Sequence, residues 1–171
     1  MRKYIKSRAF FETTESAQKN KNHPIVVCWK LTSPNNLGNI LRLADNMGCT
    51  KVLFVDDEPT FKDINIKKTA QTSFKAIDWN FCTSKNWKEN IPEDYSLLAI
   101  ETVKPSFDLY KTKLPEKCVF FVGNEKVGIE DCILKECEKS IYIPMKGHNK
   151  SMNVSHALTI VLGEWTRQNY Y

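Results

Sequence analysis

Five polar side chains stand in three short stretches beside apolar runs, and their types suit a binding or catalytic site. The first stretch contains Asn36 and Arg42, the second contains Glu125, and the third contains Ser151 and Asn153. An arginine presents a planar fork of five donors that suits a phosphate group. Each residue alone also fits a structural role, such as a helix cap, a turn or a surface ion pair. Together they favour a polar site at one edge of a sheet.

The surrounding pattern shows which elements position these side chains. Apolar runs rich in β-branched and aromatic residues predict six strands, over residues 25–31, 51–57, 74–81, 95–101, 118–123 and 140–144. Helical spacing and capping residues predict helices, over residues 33–48, 128–140 and 153–170. The alternation predicts an α/β domain with a mostly parallel sheet flanked by helices. Such sheets bind ligands at the carboxyl ends of their strands, where all three stretches lie.

The sequence lacks the common nucleotide-binding loops. It contains no GxGxxG, and its nearest match to a P-loop, from Gly123 to Gly128, continues with Ile129 and Glu130. A P-loop needs lysine and serine or threonine there, to contact phosphate and magnesium. The sequence therefore argues against a dinucleotide-dependent dehydrogenase, an NTPase or another plain nucleotide-binding domain.

The six cysteines and three histidines show no spacing typical of a metal site. Neither CxxC nor HExxH occurs in the chain. We therefore predict reduced thiols, no disulfide bonds and no bound metal.

Positive charge is concentrated at the amino end of the chain. The net charge is +5, and residues 1–30 contain seven basic and two acidic side chains, so the remainder is balanced. This predicts a basic N-terminal arm, residues 1–22, in front of one domain, residues 23–171, and favours a polyanionic partner such as nucleic acid. The amino end has no apolar signal core, and no apolar run has the length of a membrane span. We therefore expect a cytoplasmic protein without a membrane partner.

The three polar stretches resemble the three motifs of the SpoU/TrmH family of the SPOUT superfamily, which are RNA ribose methyltransferases. They read NLGNILRLA from Asn36, FVGNEKVGI around Glu125, and IPMKGHNKSMNVS around Ser151. Their order and spacing agree with the family over roughly residues 24–168. The resemblance implies an α/β domain with a deep C-terminal trefoil knot and S-adenosylmethionine as cofactor. It also implies a 2′-O-methylated ribose in tRNA or rRNA as product, and a homodimer whose site is completed across the interface.

The resemblance also assigns residues to roles. Residues at catalytic or site-building positions would be Asn36, Arg42, Glu125, Ser151 and Asn153. Cofactor-binding residues would be Ile100, Glu101, Gly123, Ile143, Met145 and Met152, and Gly147 would let the last loop pass close to the cofactor. The family usually has leucine at the position of Met152. Because the two side chains have similar volumes, we expect little effect of this change.

The mechanism that the resemblance suggests gives Arg42 the central role. A guanidinium stays protonated in proteins and is a poor base, so we expect Arg42 to bind the phosphate beside the target ribose, with Asn36 and Glu125 orienting it. We expect tRNA rather than rRNA as substrate, because the chain lacks the large extra RNA-binding domain of some relatives. The long last helix is apolar over most of its circumference, which fits either the monomer core or the dimer interface. An inactive RNA-binding relative and a base-methylating SPOUT enzyme stay open as alternatives.

Overall fold

The computed structural model describes residues 6–13, 22–59 and 61–171. These residues form seven β-strands, which are β1 Ile25–Trp29, β2 Lys51–Val55, β3 Asp78–Cys82, β4 Ser96–Ile100, β5 Phe107–Asp108, β6 Cys118–Val122 and β7 Lys139–Tyr142. They also form six α-helices, which are α1 Ser7–Thr13, α2 Pro34–Asn46, α3 Asp63–Ala70, α4 Ser73–Ala76, α5 Asp131–Leu134 and α6 Val154–Tyr170. Two short 3₁₀ helices are Trp87–Asn90 and Leu109–Lys111.

All seven strands belong to one parallel sheet in the order β3-β2-β1-β6-β4-β7-β5. This confirms the predicted α/β domain with a parallel sheet and flanking helices. Strand β6 pairs between β1 and β4, so a late segment of the chain completes the middle of the sheet. Strand order does not define a knot, and the predicted trefoil knot stays a prediction.

Helices α2 and α6 cover one face of the sheet. Apolar side chains of both helices share a core cluster with alternate residues of β1 and β6, among them Leu41, Leu158, Val26 and Phe120. The opposite face carries a second cluster, which includes Trp87 beside the other set of strand residues. Alternation of side chains along each strand explains why one sheet supplies two cores. One side of helix α6 thus packs in the monomer core, which is one of the two locations that its apolar pattern allows.

The ends of α2 follow from local sequence. Ser33 is the N-cap and accepts a hydrogen bond from the Asn36 amide at 3.4 Å, and Pro34 occupies the first helical turn. Gly48, with a φ of 70°, ends the helix as predicted. A Cβ on Gly38 would lie 2.6 Å from the Thr69 Cβ, so this glycine allows α3 to pack closely on α2. Asn36 itself is not the cap.

Two predicted elements differ from the structure. The helix predicted over residues 128–140 shortens to α5, because the Glu138 amide donates to the Leu97 carbonyl at 2.9 Å and the chain enters β7 at Lys139. The strand predicted over residues 74–81 begins as α4, and β3 starts only at Asp78. In both places long-range strand pairing decides the backbone conformation over local propensity.

Three further predictions concern the basic arm, a membrane-spanning helix and the cysteines. Most of the predicted basic arm, residues 1–22, lies outside the described residues, so its boundary stays a prediction. No helix among the described residues is long and apolar enough to cross a membrane. All six cysteines are free thiols, and four of them are buried.

Candidate active site

A cleft with a volume of about 570 Å³ opens at the carboxyl ends of β4, β6 and β7. Its walls consist of residues at the ends of these strands and just after them, and of the loop that leads into α6. This is the edge where a parallel sheet binds ligands. All six predicted cofactor-binding residues line the cleft, namely Ile100, Glu101, Gly123, Ile143, Met145 and Met152. Three of the predicted catalytic residues also line it, namely Glu125, Ser151 and Asn153.

Glu125 binds the N-terminal end of α2. Its Oε2 accepts hydrogen bonds from the Thr32 amide and hydroxyl, both at 2.9 Å. Its Oε1 accepts from the Ser33 amide at 3.2 Å and from Asn36 Nδ2 at 2.8 Å. The first turn of a helix leaves amide donors without partners and carries partial positive charge, so a carboxylate is favourable there. Burial raises the pKa of Glu125, but the hydrogen bonds from Thr32 and Asn36 outweigh it, and the pKa is lowered overall.

Asn36 and Asn153 connect two of the three polar stretches. The buried Asn36 accepts, through its Oδ1, a hydrogen bond from Asn153 Nδ2 at 3.0 Å. Asn153 is the N-cap of α6, and its Oδ1 accepts from the Ser155 amide at 2.9 Å and hydroxyl at 2.7 Å. A continuous chain of hydrogen bonds therefore runs from Glu125 through Asn36 to the start of α6. It fixes the position of α2 relative to the last wall of the cleft.

Ser151 lies on the cleft wall and does not cap α6. Its hydroxyl donates to Asn149 Oδ1 at 2.9 Å, and its amide donates to the same oxygen at 3.0 Å. The N-cap of α6 is Asn153. Gly147, in the same loop, has no atom within 4 Å of a Cβ built on it, so its predicted closeness to a cofactor stays a prediction.

Arg42 is exposed on α2 and does not line the cleft of its own chain. It stands six residues after Asn36, which places it about 9 Å further along the helix axis. No described residue forms a hydrogen bond or ion pair with its guanidinium, and the oxygens of Asn36 and Glu125 are bound elsewhere. Within one chain no hydrogen bond supports the hypothesis that these two side chains orient Arg42, and it stays a prediction.

Glu101 is a second carboxylate of the cleft and clamps the turn after β6. Its Oε2 accepts from the Ile129 amide at 3.1 Å, and its Oε1 accepts from the Thr102 amide at 2.9 Å. Gly123 packs against this turn so closely that a Cβ would lie 2.3 Å from the Gly128 carbonyl carbon. Gly128 has a φ of 73°, a conformation that favours glycine. Both glycines are thus needed for the shape of the cleft wall.

Sequence reasoning missed two side chains that build the site. Asn124 donates through Nδ2 to the Lys30 carbonyl at 2.6 Å, which joins the turn after β6 to the end of β1. Thr32 supplies two of the donors that hold Glu125. The only signal in the sequence was their place next to motif residues, since their partners lie far along the chain.

The fold and the site define the class of protein. It is a parallel α/β domain with a cleft at the ends of three strands, and the cleft has both polar and apolar lining residues. The chain belongs to the SpoU rRNA Methylase family, whose family model matches residues 23–163. This confirms the resemblance found in the sequence.

Individual relatives agree with this assignment. A 23S rRNA guanosine-2′-O-methyltransferase of Neisseria meningitidis is 30% identical over 159 residues, which cover 90% of this chain and 63% of the relative. The chain thus spans less than two thirds of that relative's length. An AdoMet-bound rRNA methyltransferase of Sinorhizobium meliloti superposes with a TM-score of 0.78 at 22% identity, covering 87% of this chain and 57% of the other. A structure concerned with 2-OH methylation of C/U34 on tRNA superposes with a TM-score of 0.75 at 20% identity, covering 86% of this chain and 96% of the other.

Proposed function

We propose that the protein is an S-adenosylmethionine-dependent RNA methyltransferase that transfers a methyl group to a ribose 2′-hydroxyl, with tRNA as its substrate. The observation that carries this proposal is the chain of hydrogen bonds Glu125–Asn36–Asn153 beside the cleft. It joins the motif residues of all three polar stretches to one wall of a cavity. The family membership supports the same reaction class.

The cleft fits the cofactor in both size and chemistry. Its inner lining contains the apolar side chains Ile100, Val122 and Ile143, which suit the apolar parts of S-adenosylmethionine. Glu101 adds a carboxylate, which favours the positive sulfonium. The similar rRNA methyltransferase of Sinorhizobium meliloti was solved with AdoMet bound.

The proposed reaction transfers a methyl group to the ribose oxygen. Bound S-adenosylmethionine would supply that methyl group, and the cleft lining that includes Ile100, Gly123 and Ile143 would hold the cofactor. The contribution of the protein is to hold the ribose hydroxyl beside the bound cofactor in a reactive orientation. The cleft wall formed by Ser151 and Asn153 has its position fixed by Asn36 and Glu125.

Arg42 acts on the substrate from a second copy of the chain. It is exposed, it has no partner among the described residues, and it stands away from its own cleft. We place the partner subunit's Arg42 against the phosphate beside the target ribose. There its charge stabilises the developing alkoxide, while the hydroxyl proton passes to a phosphate oxygen or to water. The homodimer is thus part of the proposed mechanism, with the exposed side of α6 at the interface.

One comparison favours tRNA over rRNA. The structure concerned with 2-OH methylation of C/U34 on tRNA superposes with 86% of this chain and is itself covered over 96% of its length. The basic arm, residues 1–22, supplies non-specific contacts to phosphates, and its deletion should weaken RNA binding and flatten its salt dependence while cofactor binding is kept.

The test is methyl transfer to defined RNA pools. Purified protein with labelled S-adenosylmethionine is incubated separately with unmodified bulk tRNA and bulk rRNA, and nuclease digests are examined for 2′-O-methylnucleosides. We expect label in tRNA ribose. Label on a base nitrogen would contradict ribose transfer, and label only in rRNA would contradict the substrate. If calorimetry shows no binding at millimolar S-adenosylmethionine, the protein is an inactive RNA-binding relative.

A further inference from the structure

The turn after β6, residues 124–128, is a rigid platform at the rim of the cleft. Backbone hydrogen bonds join Asn124 and Gly128 in both directions, at 3.1 and 2.9 Å. The Asn124 side chain accepts from the amides of Lys126 and Val127 at 2.9 and 3.2 Å. Glu101 fixes the next amide, that of Ile129. The turn is therefore held by its own hydrogen bonds and by the residue that follows β4, which fixes the backbone positions from which its side chains extend.

The three central residues of this turn have different environments. All three residues are exposed, and Glu125 is also held by the N-terminal end of α2. The side chain of Val127 is 79% exposed, although it lines a cleft whose interior is apolar. No described residue forms a hydrogen bond or an ion pair with the Lys126 ammonium group. An apolar side chain and an unpaired cation thus stand next to each other on one rigid rim.

The charges of the cleft decide which ligand fits this rim. Glu101 and Glu125 are bound to backbone amides, and the Lys150 ammonium donates to the Met145 carbonyl at 2.9 Å. Lys126 is the cation of the cleft lining that has no partner among the described residues. A cation at the rim repels a sulfonium and attracts a phosphate. An exposed apolar side chain beside it suits the face of a nucleobase.

We propose that Lys126 and Val127 form a subsite for the target nucleotide of the RNA, with Val127 against the base and Lys126 on an adjacent phosphate. This subsite rests on the proposed function and adds a part of the substrate that it recognises. The pair would hold the nucleotide by its base and phosphate and so bring its ribose over the cleft. We expect neither side chain to contact the cofactor, because both stand at the rim and the apolar lining around Ile100 and Ile143 lies deeper in the cleft.

Variants of the rim separate RNA recognition from cofactor binding. We compare Lys126→Gln and Val127→Ser with Val127→Ile, which keeps the apolar contact, and with Lys113→Gln, which removes an exposed lysine outside the cleft lining. The measurements are the Kd for S-adenosylmethionine by calorimetry, the Kd for bulk tRNA at several salt concentrations, and KM and kcat for methylation.

We expect Lys126→Gln and Val127→Ser each to weaken tRNA binding about five- to tenfold, with the cofactor Kd unchanged within about twofold. Lys126→Gln should also reduce the salt slope by about 0.7–0.9, whereas Val127→Ser should leave it unchanged. Val127→Ile and Lys113→Gln should behave as wild type. Weakened cofactor binding in Lys126→Gln would assign its ammonium to the cofactor carboxylate, and unchanged tRNA binding in both variants would also overturn the subsite. Cofactor and tRNA binding by the wild type test the proposed function separately.

Discussion

Asn36 and Asn153 form a hydrogen bond of 3.0 Å between side chains that are 117 residues apart in the chain. One lies in the first turn of α2 and is bound to Glu125, and the other is the N-cap of α6. The bond therefore connects the helix that carries Arg42 with the loop that closes the cleft. It makes the three polar stretches one structural unit.

This bond should appear as a coupling energy. In a double-mutant cycle, Asn36→Ala and Asn153→Ala should couple by about 1 kcal/mol in the free energy of unfolding. Asn153→Ala alone should cost a further 1 kcal/mol or so, because α6 loses its cap. Urea denaturation measures both effects. The matched cycle combines Asn153→Ala with Ser33→Ala, which removes the other cap, and it should be additive. Additivity in the first cycle as well would contradict the link.

Stability should depend on pH through Glu125. Its pKa is lowered in the folded protein. Its contribution to the free energy of unfolding is therefore complete at pH values above the pKa that this carboxyl group has in the unfolded chain. This contribution is lost as the pH falls through the folded value. Glu125→Gln turns an amide NH₂ group toward donors of Thr32 or Asn36. The variant should lose about 1 kcal/mol in the free energy of unfolding at pH 7, and no more than that because solvent reaches part of the site.

Urea denaturation from pH 7 to pH 3 measures the difference in the free energy of unfolding between wild type and Glu125→Gln. It should be constant above about pH 5 and shrink below roughly pH 4.3. Glu93→Gln, which changes an exposed carboxylate, provides the control for general acid effects. A difference that grows toward low pH would refute the assigned sign.

The sequence predicted the strands better than it predicted the helices. All six predicted strands overlap strands of the sheet, because apolar runs bounded by turn residues depend on local pattern. The one predicted over residues 74–81 starts only at Asp78, and the two-residue β5 was not predicted. The helix predicted over residues 128–140 was too long, because the pairing of β7 with β4 is a long-range effect. The partners of Glu125 could not be predicted, since Thr32 lies 93 residues away and nothing local marks the contact. The position of Arg42 outside its own cleft also required the structure.

Replacement of two glycines of the site by alanine should affect the stability of the protein to very different extents. Gly123→Ala places a Cβ 2.3 Å from the Gly128 carbonyl carbon and 2.5 Å from the Ile129 amide nitrogen, so the turn must shift. We expect a loss of about 2–3 kcal/mol in the free energy of unfolding and weaker binding of S-adenosylmethionine. Gly147→Ala meets nothing within 4 Å and should change stability by less than about 0.5 kcal/mol. Denaturation and calorimetry on both variants test this; equal effects would contradict the assigned packing.

Arg42→Lys should keep the charge and lose the forked donor geometry. If the guanidinium binds the phosphate beside the target ribose, kcat at saturating RNA should fall at least about tenfold. The Kd for S-adenosylmethionine should not change, because Arg42 does not line the cleft of its own chain. Full activity of the lysine variant at saturating RNA would exclude the geometric role.

Subunit complementation tests whether Arg42 serves the cleft of a second copy. Arg42→Ala removes the guanidinium and keeps the cleft, whereas Gly123→Ala damages the cleft and keeps the guanidinium. A heterodimer of the two contains one intact cleft that faces an intact arginine if the residue acts across the interface. Co-expressed variants should then regain methylation well above the sum of the two homodimers, and sedimentation should show dimers in all three samples. Without recovery in verified heterodimers, or with an active monomer of the wild type, Arg42 would have to act within its own chain.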